Sequence, residues 1–199
     1  MDPHIRQSWE EFLDPDVVRP RLIAASVYIA AFEVLKDAIV GNIRDFFMTG
    51  FDESGDKINP EYLAEVLARN RSPVHASLAW LKEHHAIDDH DVATFDRVKV
   101  CRNVLAHKLL SALVTDGLPP AFSQCFSDMV ALVRKIEVWW ITNVEIPTNP
   151  DFDGADVDSS EIVPGPVMTI ELLMEIALGD DKRRRSYFDE FRKLTGRSG

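Results

Sequence analysis

The chain has 199 residues, is 46% hydrophobic and 28% charged, and carries a formal net charge of −11. That length supports one real hydrophobic core, and the composition excludes a globally disordered polymer. The acidic balance opposes non-specific attachment to nucleic acid or anionic membrane, so any contact with phosphate needs a local basic patch.

The first twelve residues, MDPHIRQSWEEF, lack the basic and apolar segments of a secretory signal, and no apolar run reaches bilayer length. A cytoplasmic protein without membrane contact is therefore expected. Cys101 and Cys125 fall among apolar neighbours in helical segments and read as buried free thiols of a reducing compartment.

A short helix is expected over residues 5–12, then a turn at Asp14-Pro15-Asp16. Pro20 suits the first turn of a long helix that runs to about Met48, and residues 51–59 read as a loop. Asn59-Pro60-Glu61 opens a short helix to about Arg69, and Ser72-Pro73 opens another to about His84. Asp88 or Asp89 caps the next helix, which continues to about Thr115. A further helix spans about 121–143 and carries Trp139-Trp140, read as core or interface packing. The Asp-rich segment that follows lacks the glycine and terminal glutamate of a calcium loop and reads as a solvated acidic linker. A short apolar helix over 167–178 precedes a basic tail. From Asp180 onward there are seven Lys/Arg against four acids, a net +3, which leaves −14 on the remainder.

No internal repeat and no alternating strand pattern is present, so the expected fold is all-α. Residues 1–147 form a bundle of four to five main helices, 148–165 an acidic linker, and 166–199 a C-terminal helical appendage ending in the basic tail.

The densest stretch is residues 95–113, FDRVKVCRNVLAHKLLSAL. At about 100° per residue, Phe95, Val98, Leu105, Ala106, Leu109 and Leu113 share one apolar face. Arg102 lies within it, and an arginine there must snorkel outward or meet an acid or phosphate. Glu33, among apolar residues of the first long helix, is the candidate internal partner. His107 lies about 140° further round, on a second face with Val100 and Val104, and Asn103 stands between. A helix apolar on two faces needs two packing partners, and a second copy of the chain can supply one. Arg97, Lys99 and Lys108, with Arg102 and against Asp96, make the local basic patch that RNA contact would need.

Arg102-Asn103-x-x-x-His107 resembles the Arg-x4–6-His motif of HEPN domains, small helical bundles that include many ribonucleases of toxin–antitoxin, CRISPR and phage-defence systems. The resemblance spans roughly residues 20–145. It implies a metal-independent, cofactor-free endoribonuclease acting from a composite site in a homodimer. Arg102 and His107 would be catalytic, with Asn103 and Glu33 supporting, RNA as substrate, and an antitoxin or defence protein as a possible partner. Leu109 stands where members silenced by a nucleotidyltransferase carry a tyrosine, which puts adenylylation in doubt.

The chemistry suits the pair. RNA carries its own 2′-OH nucleophile, histidine titrates near neutrality, and arginine offers a permanent planar charge to phosphate oxygens. Two other classes are compatible with the sequence. One is a catalytically silent helical interaction protein. The other is an HD-type metal phosphohydrolase built from His75, His84, His85, Asp88, His90 and Asp91, although a solvated, capped helix connection explains that segment more simply.

Overall fold

The computed structural model describes residues 3–53, 55–152, 157–179 and 181–195. It is mostly helical, as the patterning implies. Helix α1 spans Pro3–Leu13 and α2 spans Pro15–Phe46. Asp14 caps α2 by accepting from the Asp16 amide at 2.9 Å, and Pro15 fills the first turn. The helix thus starts before Pro20, which lies inside it and offers no amide to the Asp16 carbonyl.

Residues 51–59 are not simply a loop. Strands β1 (Met48–Asp52) and β2 (Gly55–Ile58) pair antiparallel, with Phe51 opposite Asp56. Little alternation marked them, because most of both strands is exposed. Gly55, at φ +111°, takes a conformation that L side chains rarely adopt, and the Lys57–Asp52 ion pair at 2.9 Å ties the strands. Then come α3 (Glu61–Glu65), a 3₁₀ turn at Leu67–Arg69, and α4 (Pro73–Glu83). Asn59 opens this segment, its side chain accepting from the Glu61 amide at 3.0 Å.

Helix α5 spans Asp89–His107, α6 spans Leu109–Val114, and α7 spans Phe122–Trp140. A π turn over Ile141–Glu145 carries the chain into α8 (Ile146–Thr148), beyond the expected end near Asn143. Helices α9 (Gly165–Leu178) and α10 (Asp181–Leu194) are the last elements among the described residues.

One continuous core joins α2, α4, α5, α7 and α9. Leu35 and Ile39 of α2, Leu81 of α4, Val98 of α5, Ile136 of α7 and Ile170 of α9 are fully enclosed. The first half of the expected C-terminal appendage is therefore part of the central packing. Val167 and Ile170 lie in the core, and α9 contacts α2 and α7. The end of the acidic segment is strapped as well, since Arg134 donates to the Ile162 carbonyl at 2.9 Å and to the Ser160 carbonyl at 3.2 Å. Residues 153–156, where part of the rejected calcium loop falls, lie outside the described residues.

Trp140 is buried and stacks on Trp80 at 5.9 Å between centroids, the core alternative of the two expected, while Trp139 is half-buried against the same core. Beside it Glu137 is buried and accepts from the Asn42 amide at 3.1 Å. Burial raises its carboxyl above the ordinary value, outweighing the Asn42 bond. The folded state then holds this proton more tightly than the unfolded state. Its contribution to stability is fully present below about pH 4.5 and falls as pH rises through the folded pKa. Glu137→Gln is expected to stabilise the protein at pH 7 and to match the parent below about pH 4.5, as read by urea unfolding across pH.

Candidate functional site

Helix α5 is fixed at its start by a capping box. The Asp91 amide donates to Asp88 Oδ1 at 3.0 Å, and the Asp88 amide donates to Asp91 Oδ2 at 2.9 Å. Lys135 of α7 bonds both carboxylates. The Asp91 amide, and next the Lys135 ammonium, hold the Asp88 carboxyl below its usual value. Further along, Phe95, Val98, Cys101 and Leu105 are buried, and Phe95 stacks on Phe32 of α2 at 5.9 Å.

The helix stops at His107, earlier than expected. Lys108 leaves helical geometry at φ −123° and ψ 26°, and the short α6 sets off anew. No proline or glycine marks this break. It lets α6 bury Ala112 and Leu113 alongside α1 and α2, and Arg21 reaches the Leu113 carbonyl at 3.4 Å. Tertiary packing overrides the helix propensity of the HKLLSAL run. His107 consequently occupies the terminal turn of α5 and is exposed.

Arg102 stays on the packing side, with its side chain 28% exposed. Its Nη2 donates to Glu33 Oε1 at 3.3 Å, its Nη1 donates to Asn103 Oδ1 at 3.5 Å, and its guanidinium lies 5.5 Å from the Phe32 ring centroid. Both hydrogen bonds are long beside the about 2.7–2.9 Å of a well-made charge-assisted contact. The buried Nε–H has no acceptor. The expected Arg102–Glu33 proximity is thus present, but Glu33 is shared, since its Oε2 accepts from Lys36 at 2.6 Å. Lys36 is the larger cause of the lowered Glu33 carboxyl, and Arg102 a smaller one.

Ala106 departs from the expected apolar face and is exposed. It shares its direction with buried Phe95, three turns earlier, so the cover over that flank of α5 ends before Ala106. The resulting open strip holds Ala106 and His107, with Lys99 and Asn103 partly covered, and Arg102 borders it. Lys108 is exposed at the helix end. Arg97 is drawn elsewhere. It bonds Asp128 of α7 at 2.9 Å and the Thr94 hydroxyl at 3.1 Å, so of the expected RNA-contacting residues it is the one already committed to a carboxylate.

The second face is open. Val100 is 63% exposed, and with Val104, Pro119, Pro120 and Ala121 it lines an apolar groove of about 640 Å³. Cys101 and Cys125 also line the groove as buried free thiols, and burial raises the Cys101 thiol above its ordinary value. The histidine-rich connection does not assemble a metal centre. His75 contacts Ser72 and Asp96, His84 stacks on Trp80 and bonds its carbonyl, and Asp91 serves the cap. Among the described residues, no three His, Cys, Asp or Glu side chains gather as metal ligands.

The sequence did not single out Phe32 as a neighbour of Arg102 or Lys36 as a second partner of Glu33. Their places one residue before and three residues after Glu33 were the only available signal. It also missed the Pro119-Pro120 wall of the groove, whose position depends on the turn after α6.

Comparison with protein-family models, curated proteins and solved structures gave no match.

The Glu33 contacts are half-exposed, and such pairs contribute at most about 1 kcal/mol. Glu33→Gln should leave the thermal midpoint nearly unchanged. Loss of activity well beyond that small stability effect would identify Glu33 as holding Arg102 for function, to be read by calorimetry alongside an activity assay.

Proposed function

We propose that this chain is a metal-independent endoribonuclease of the HEPN type, belonging to a toxin–antitoxin or phage-defence setting. Arg102 carries this reading. It is a permanent charge at the edge of the core with two long hydrogen bonds and an unmatched Nε–H, beside an open strip that leads to an exposed histidine. A phosphate at that edge would give the guanidinium the short, charge-assisted contacts that its protein partners do not.

In the reaction, a base takes the 2′-OH proton and the 2′-oxygen attacks the adjacent phosphorus. The 5′-oxygen leaves with a proton, giving a 2′,3′-cyclic phosphate and a 5′-hydroxyl end. His107 is assigned to proton transfer and Arg102 to the charge that builds on the phosphoryl oxygens. Asn103 lies between them on the helix and can bond either the substrate or Arg102. Lys99 and Lys108 flank the strip for neighbouring phosphates, while Arg97 would first have to leave Asp128.

Arg102 and His107 diverge by about 140° round one helix. A homodimer across the Val100/Val104 face would let the arginine of one copy act with the histidine of the other. The open groove also supports a second reading, a catalytically silent module that docks a protein partner there.

RNA incubated with the protein in EDTA should be cleaved. His107→Ala should lower the rate by about 10²–10⁴-fold, with circular dichroism confirming the fold. Undiminished cleavage by that variant overturns the assignment, and an inert parent chain favours the silent module. Val104→Arg should yield monomers in light scattering, and an unchanged mass rejects that interface.

A further inference from the structure

Helix α10 is the most basic segment of an acidic chain. Its 14 residues hold six Lys/Arg and three acids, a net +3, while residues 1–179 carry −14. Its apolar residues Tyr187, Phe188, Phe191 and Leu194 follow the spacing of a single helical stripe. Such a stripe ordinarily faces a core. Here Phe188 is 60%, Phe191 64% and Leu194 87% exposed. The helix is nonetheless anchored. It packs on α9, and the Tyr187 hydroxyl donates to the Glu175 carboxylate. Arg192 lies 5.6 Å from the Phe188 ring centroid, and Arg185 and Lys193 are exposed.

Exposed rings interleaved with arginine are what a single strand of nucleic acid needs. Bases stack on aromatic faces, and guanidinium groups serve both the rings and the phosphates. Phe188 and Phe191, three residues apart, present neighbouring faces about 5–6 Å apart at their Cβ atoms.

A basic aromatic helix also suits an anionic bilayer, but two observations favour a strand. The stripe contains one aliphatic residue, Leu194, which leaves little acyl-inserting surface, and the Arg192 guanidinium at ring distance from Phe188 pairs a cation with an aromatic face as base stacking uses them. In addition, a thin, flexible strand can reach α10 while staying more than one Debye length, about 8 Å, from much of the acidic body. A charged plane would confront that body directly.

We propose that α10 is a gripping arm for single-stranded RNA, with Phe188 and Phe191 stacking on bases and Arg185, Arg192 and Lys193 meeting phosphates. The arm deepens the ribonuclease reading and rests on it only for the identity of the polyanion. It would hold substrate away from Arg102 and His107 and add a net positive segment to a body whose residues 1–179 carry −14.

The test uses the full chain carrying His107→Ala, so that binding is read apart from cleavage. The probe is a fluorescein-labelled oligouridylate of roughly 15 nucleotides, followed by anisotropy. Phe188→Ala with Phe191→Ala should weaken binding by about 10–100-fold, whereas tryptophan at both positions should preserve it. Arg185→Gln with Lys193→Gln should flatten the salt dependence, the slope of log K against log salt falling by roughly 0.7 for each lost phosphate contact. Unchanged affinity in both sets overturns the arm, as does a preference for duplex over single strand. If the phenylalanine pair instead abolishes sedimentation with phosphatidylserine vesicles and leaves oligouridylate affinity unchanged, α10 is a lipid-surface helix. Retained binding through α10 in a chain that never cleaves RNA would sink the ribonuclease reading alone.

Discussion

Tyr28 is completely enclosed, and its hydroxyl donates to the Val98 carbonyl at 3.1 Å. Burial, and next the neighbouring Cys101, raise this phenol far above its ordinary range, so it remains a neutral donor. The contact locks the rotation of α5 against α2. Four residues further along each helix, the same alignment sets Arg102 against Phe32, with Glu33 one residue beyond. Rotating α5 by one residue would turn Arg102 into the interior or out to water, and the bond resists that because breaking it leaves the buried Tyr28 hydroxyl unmatched, while the Val98 carbonyl keeps only its place in the helix ladder. The place of Arg102 beside Phe32 and Glu33 depends on this alignment.

The other end of α5 is set differently. The Asp88/Asp91 cap with Lys135 ties its start to α7, and the break at Lys108 frees its last turn. One helix therefore has a capped start, a middle that buries Thr94, Phe95, Val98, Cys101 and Leu105, and a terminal turn that opens to solvent where His107 sits. A continuous helix to Thr115 would have carried the chain away from α1 and α2, and the turn holding His107 would have been a mid-helix position. The C-terminal segment repeats this division of labour. Helix α9 is held by Val167 and Ile170 in the core, whereas α10 leans on it with its aromatic stripe outward.

Much of the fold was legible from residues alone. Ser72-Pro73 and the Asp88 cap placed the starts of α4 and α5, because capping and proline chemistry are local. The Arg102–Glu33 proximity was legible too, since an arginine on an apolar face needs an acid and few were placed to meet it. The hairpin at Met48–Ile58 was not, because exposed strands carry no alternating pattern. The early start of α2 was missed because Pro20 outweighed the better local signal of Asp14-Pro15. The exposure of Ala106 was hidden because helical periodicity reports direction and not where a neighbouring element ends.

The sequence by itself determined the helical class, the starts of α4, α5 and α7, the face on which Arg102 lies, and the charge contrast between body and tail. These depend on side-chain chemistry within a few residues and on a fixed 100° step. Only the tertiary structure decided that α5 breaks at Lys108, that Arg97 pairs with Asp128, that Lys36 shares Glu33, and that the segment after the acidic linker returns to the core. Each of these is a competition between partners distant in the chain or between a local propensity and a buried surface. Such competitions are settled by which groups the packing brings within reach.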